Sequence, residues 1–170
     1  MWKRPKLLGR DFARRWNHRG KNAGERPLRP RVLIEEPDVA EAFAYWRLLE
    51  GKGYAVSWCP GPTGLPPRQC PLVAFGHCDL VQCADVVVSS LPLHREVSRK
   101  VIAALRNVYP ETPMVVQAPQ QLLARWAPLF EGHSWEAMRM PVTSQTLLDS
   151  VQLALVTSGR AAHEDVGAPG

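Results

Sequence analysis

The sequence predicts an α/β fold: a doubly wound, five-stranded parallel sheet with helices on both faces. Three observations predict it. Short apolar runs alternate with stretches of helical spacing between residues 31 and 157. Strands that alternate with helices imply a parallel sheet covered on both sides. The run Val86-Val87-Val88 has the unbroken apolar character of a strand buried on both faces.

The elements follow in order. Regular structure opens at RVLIEEPD, where Arg31 to Glu35 reads as a first strand ending in acids. Asp38 is placed to cap a helix, with Glu41 three residues on in a capping-box pattern. Val39, Phe43, Trp46 and Leu49 keep helical spacing and are expected to form its buried face; Gly51 and Gly53 stop it. Tyr54 to Trp58 is the second strand.

The next stretch, CPGPTGLPPRQCPLVAFGHCDLVQC, has five prolines and three glycines. Proline removes a backbone donor and clashes with the preceding turn, so no regular helix fits its first half. It reads as a Cys/Pro-rich loop in place of the second helix. The third strand spans residues 84–89 and a helix covers about 95–108, with Val97, Val101, Leu105 and Val108 on one face. Met114-Val115-Val116 is the fourth strand. Leu122, Leu123 and Trp126 mark a further helix, and residues 137–140 a weak fifth strand. A last helix starts near Thr143 or Ser144 and carries Leu147, Leu148, Val151 and Leu155. This order fits a flavodoxin-like sheet, with strands arranged 2-1-3-4-5.

Charge divides the chain. Residues 1–30 hold ten Lys/Arg against Asp11 and Glu25, a net +8, and residues 31–170 carry −3. The boundaries are therefore a basic, Pro-broken arm over 1–30, one domain over 31–157 and a loose tail over 158–170. In the arm, Leu8, Phe12 and Trp16 recur every four residues among Arg10, Arg14, Arg15 and Arg19. Two readings stay open: a solubilising leader, or a segment that meets nucleic acid, an anionic membrane surface or an acidic partner. No apolar run reaches the length of a membrane span and no secretory block is present, so the expected location is the cytoplasm.

The pieces RVLIEEPD, EGKGYAV, ADVVVSSLP, VIAALRNVYPETPMVV and MPVTSQTLLDSVQLAL stand in an order that resembles the receiver domain of bacterial response regulators. The resemblance covers about residues 31–156. It implies acids after the first strand that hold Mg²⁺, an Asp acceptor after the third, a Ser or Thr after the fourth and a Lys after the fifth. At those places this chain has Glu35 and Glu36, Ser90, Ala118 and Met140. An acyl phosphate needs a carboxylate nucleophile, and a serine hydroxyl with no adjacent base is a weak substitute. Arg139 is one residue from Met140, which turns it to the opposite face of a strand. The resemblance thus implies a degenerate receiver: a non-catalytic regulatory module in bacterial signalling or transcription, working through a protein partner or a homodimer.

Cys59, Cys70, Cys78 and Cys83 crowd into the Pro-rich stretch, with His77 among them. Four thiols and an imidazole could hold zinc or an iron–sulfur cluster, form a redox disulfide, or simply pack as small apolar groups. None of the spacings is CxxC, so a metal or redox sensor stands as the alternative function. The Rossmann and P-loop glycine signatures are absent, as is any recognisable Ser/His/Asp set or paired-carboxylate set, and no enzyme activity is expected.

Overall fold

A computed structural model describes residues 29–158. Five parallel strands form one sheet in the order β2-β1-β3-β4-β5, as the sequence predicts. They are β1 (Arg31–Glu35), β2 (Ala55–Cys59), β3 (Val86–Ser89), β4 (Met114–Ala118) and β5 (Trp135–Arg139). The helices are α1 (Val39–Gly51), α2 (Pro71–Phe75), α3 (Asp79–Gln82), α4 (Glu96–Val108), α5 (Gln120–Arg125) and α6 (Ser144–Thr157), with a 3₁₀ turn at Ala127–Phe130. Among the described residues, no helix is long and apolar enough to cross a membrane.

Alternation along each strand builds two cores. Leu33, Val87, Met114 and Val116 face one side and pack with Leu72, Val81, Ile102, Leu105 and Phe130 beneath α2 to α5. Val32, Ile34, Val86, Val88, Val115 and Met138 face the other and pack with Tyr45, Leu49, Leu147, Val151 and Leu155 from α1 and α6. Asp38 caps α1 by accepting from the backbone N–H groups of Ala40 and Glu41. This satisfies two donors that the first helical turn leaves without partners.

Three expectations need correction. The buried face of α1 is Ala42, Tyr45 and Leu49, whereas Val39 and Phe43 are about 60% exposed (61% and 60%). The helix VAEAFAYWRLLEG is apolar on most of its circumference, so periodicity alone cannot choose the face; contact with β1, β2 and α6 does. In α4, Ser98 and Ile102 join Val101 and Leu105 inside, and the terminal Val97 and Val108 turn partly outward. The Pro-rich stretch is not wholly loop. Its second half folds into α2 and α3, which lay Leu72 and Val81 on the core. The first half does stay irregular. There Gly61 adopts φ +64°, and a Cβ on it would come within 2.5 Å of Leu91 Cδ2.

Candidate functional site

The carboxyl ends of β1, β3, β4 and β5 meet at one edge of the sheet, where doubly wound folds place their ligands. Residue by residue, β3 leads Val88 into Ser89 and Ser90, β4 ends in Gln117 and Ala118, and β5 is followed by Met140. A cavity of about 230 Å³ opens here, and Ser90, Gln117, Ala118 and Met140 all line it. Leu91, Leu93 and Leu122 make much of the rest. The three positions picked out in the sequence on β3, β4 and β5 thus converge on one hollow.

Side-chain alternation splits the two acids at the end of β1, Glu35 in the strand and Glu36 just after it. Glu36 follows Ile34 to the α1 side, and Glu35 follows Leu33 to the α2–α5 side. Both are buried. Glu36 Oε1 accepts from the backbone N–H of Asp38 at 2.7 Å. Its carboxyl is pushed up to about 7, by burial first, with that backbone bond and the Ser90 hydroxyl pulling the other way. Glu35 is also pushed up to about 7 by burial, with the neighbouring Ser89 hydroxyl opposing it. Ser89 and Cys59 flank Glu35 in strand register. Neither Glu35 Oε2 nor Ser89 Oγ closes a hydrogen bond among the described residues.

A hydrogen-bond network fills the floor on the Ser90 side. Ser90 Oγ donates to Gln117 Oε1 at 3.0 Å, and Tyr45 Oη reaches the same oxygen at 2.7 Å. Gln117 Nε2 donates to Glu41 Oε1 at 3.0 Å, and the single Tyr45 hydroxyl hydrogen serves either Glu41 or Gln117. Burial and the Glu41 carboxylate together raise the Tyr45 phenol above its ordinary range. Ser90 has a single hydroxyl hydrogen, so it serves either Glu36 or Gln117. The sequence reading missed Gln117 and Tyr45. A signal for Gln117 existed: it is the one amide on a strand of otherwise apolar residues, two places after the buried Val115.

No family model matches the chain, and no curated protein matches it. Solved structures do. A response regulator receiver domain from Clostridium thermocellum superposes with a TM-score of 0.59 at 17% identity, covering 76% of this chain and 97% of that one. The signal receiver domain of an HD domain-containing protein from Pseudomonas fluorescens Pf-5 gives 0.56 at 20% identity, covering 78% and 99%. A CheY-like receiver domain protein from Methanospirillum hungatei JF-1 gives 0.56 at 15% identity, covering 78% and 98%. The fold is that of a receiver domain. At these identities the likeness establishes the fold alone.

Around this receiver-like core, the cysteines sit apart from the hollow. Cys59, Cys70 and Cys78 pack against the core beneath α2 to α5, and all four thiols are free. Burial pushes Cys59 up to about 12, with the Glu35 carboxylate adding to it, and burial raises Cys78 too. Both shifts run away from the thiolate that metal binding or oxidation needs. His77 is exposed and turned to Asp79, 2.6 Å from Nε2, and to the Tyr109 hydroxyl, 3.3 Å from Nδ1. Cys83 ends α3. Among the described residues, no three His, Cys, Asp or Glu side chains group closely enough to hold a metal ion. Arg10, Arg14, Arg15 and Arg19, named as polyanion contacts, lie outside the described residues, as does the tail from residue 159.

Proposed function

We propose that this protein is a regulatory module built on a receiver fold, one that signals through protein contact without Asp phosphorylation. The observation that carries the reading is the lining of the hollow by Ser90, Ala118 and Met140 together. A phosphoryl group there would lack a carboxylate to accept it, a hydroxyl beyond β4 and a cation beyond β5 to balance its charge. Glu36 neighbours Ser90, and with its carboxyl pushed up to about 7 it carries less than a full negative charge near neutrality. Gln117 and Tyr45 hold the floor through hydrogen bonds to each other, to Ser90 and to Glu41.

The test is incubation with acetyl phosphate and Mg²⁺, read by intact mass. The expected result is no added phosphoryl mass. A stoichiometric, hydroxylamine-labile adduct would overturn the reading.

A further inference from the structure

The hollow at the ends of β3, β4 and β5 is walled by Leu91, Leu93, Leu122 and Met140, with Ser90 and Gln117 as its polar floor. Among the described residues, no Lys, Arg, Asp or Glu lines it, and His94, exposed, is the one titratable side chain that does. The cations that follow in the chain are held elsewhere. Arg95 is exposed and absent from the lining. Arg99 Nη1 donates to the Leu93 carbonyl at 2.8 Å, and its guanidinium lies 4.1 Å from the centre of the Trp126 ring. Lys100 pairs with Glu96 at 2.8 Å. An ion of either sign would give up its water shell here without a counter-charge.

One acceptor is left to receive a ligand. The Ser90 hydroxyl has a single hydrogen and two lone pairs. Its hydrogen goes to Gln117 Oε1 at 3.0 Å, and no group among the described residues donates to its oxygen. That oxygen is also fixed in place. The Ser90 backbone N–H donates to the Glu35 carbonyl at 2.8 Å, and Gln117 is tied to Tyr45 and Glu41. The hollow therefore sets one oriented acceptor against apolar walls.

We propose that the hollow binds a small, uncharged aromatic molecule with one N–H or O–H group, which donates to Ser90 Oγ. The ligand takes the place of a phosphoryl group as the signal received at this edge, and so rests on the reading that Ser90 is not phosphorylated. Charge is excluded by the lining, and size follows from the volume. An apolar cavity of about 150 Å³ takes benzene, whereas drug-sized ligands fill about 300 Å³ or more. At about 230 Å³ the hollow lies between them and suits two fused rings. A rigid ring loses little conformational freedom on binding, as a flexible chain of the same size would. Met140, 51% exposed, stands at the mouth, where its flexible thioether can close against a ring.

The test titrates indole into the full, isotope-labelled chain and follows the backbone amide spectrum. Saturable shifts are expected at residues 90–94, 117–122 and 140, with half-saturation on the order of 1 mM. N-methylindole keeps the rings and lacks the donor, so it should bind about five-fold more weakly. Ser90→Ala should weaken indole by a similar factor and remove the difference between the two probes. Met140→Glu, a change at an exposed position, should weaken both by setting a charge at the mouth. No saturable shift by about 10 mM indole, shifts centred on another face, or N-methylindole binding as tightly as indole would overturn the proposal. Acetyl phosphate treatment separates it from the reading beneath it. A phosphoryl adduct overturns both; a chain with neither adduct nor indole shifts overturns the ligand alone.

Discussion

Ser90 Oγ lies 3.0 Å from Gln117 Oε1 and donates its hydrogen to it. Two neutral groups from the ends of adjacent strands therefore close a bond at the edge where doubly wound folds place their ligands. The same amide oxygen sits 2.7 Å from Tyr45 Oη, and the amide nitrogen bonds Glu41, so one side chain ties β3, β4 and α1 together.

Gln117→Ala is expected to destabilise the fold more than its few atoms suggest. It strips a partner from Ser90, Tyr45 and Glu41 at once. Leaving buried polar groups unsatisfied costs about 1–3 kcal/mol. Tyr45→Phe removes only the hydroxyl and should cost about 1 kcal/mol. Urea denaturation of the two variants checks the order. Equal midpoints for Gln117→Ala and the parent would mean that the network contributes nothing.

Placing an acidic acceptor at position 90 should harm rather than help. Ser90→Asp places a carboxylate beside Glu36 and against Gln117 Oε1, two acceptors with no proton to share. The expected loss is on the order of 1–3 kcal/mol, larger at pH 8 than at pH 5 because Glu36 ionises between them. Adding Met140→Lys, whose side chain lines the same hollow, should recover part of it. Thermal melts of the single and double variants at both pH values decide this.

Much of this was legible in the sequence, and the limits have physical causes. The five strands and their order follow from apolar runs and alternation. The resemblance to receiver domains places Ser90, Ala118 and Met140 at one site, and parallel strands deliver their ends to one edge. The side chains that furnish the hollow were harder to see. Gln117 stands in a valine strand, and its role depends on Tyr45, far away in the chain and brought close only by the packing of α1. The face of α1 was misread because Val39 and Phe43 are as apolar as the residues that truly pack. The pair Glu35-Glu36 reads as one acidic cluster, yet strand alternation sends the two carboxyls to opposite sides of the sheet.

The buried thiols should react slowly in the folded protein. Burial pushes Cys59 up to about 12 despite the Gly61 N–H that donates to its sulfur at 3.4 Å, so almost no thiolate exists at pH 7.5. Iodoacetamide labelling with peptide mapping should leave Cys59 unmodified under native conditions and modify all four cysteines in urea. Rapid native labelling of Cys59 would contradict the packing described for it.

Stability should fall as pH rises from about 5 to 8, with Glu35 and Glu36 sharing the cause. In the unfolded chain a glutamate loses its proton near its ordinary value of 4.5; in the fold, burial holds that of Glu35 to about 7. Below 4.5 both states carry the proton and stability is at its full value. Between 4.5 and 7 the folded state alone binds it, so each rise in pH favours unfolding. Above 7 both states have released it and the slope vanishes. The gap corresponds to a loss on the order of 3 kcal/mol. The titratable groups facing Glu35 are the thiols of Cys59 and Cys78, both raised by burial and neutral across this window, so they do not mask the effect. Glu36 changes over the same range with the same sign, and its contribution persists when Glu35 is altered. Glu35→Gln keeps the shape and removes the ionisation. It should therefore remove about half of the slope and raise the midpoint at pH 8, leaving the share that Glu36 contributes. Urea midpoints at pH 5, 6.5 and 8 for the parent and Glu35→Gln provide the measurement. A parent whose midpoint rises toward pH 8, or a variant with the parent's slope, would show that Glu35 is not buried as a neutral acid.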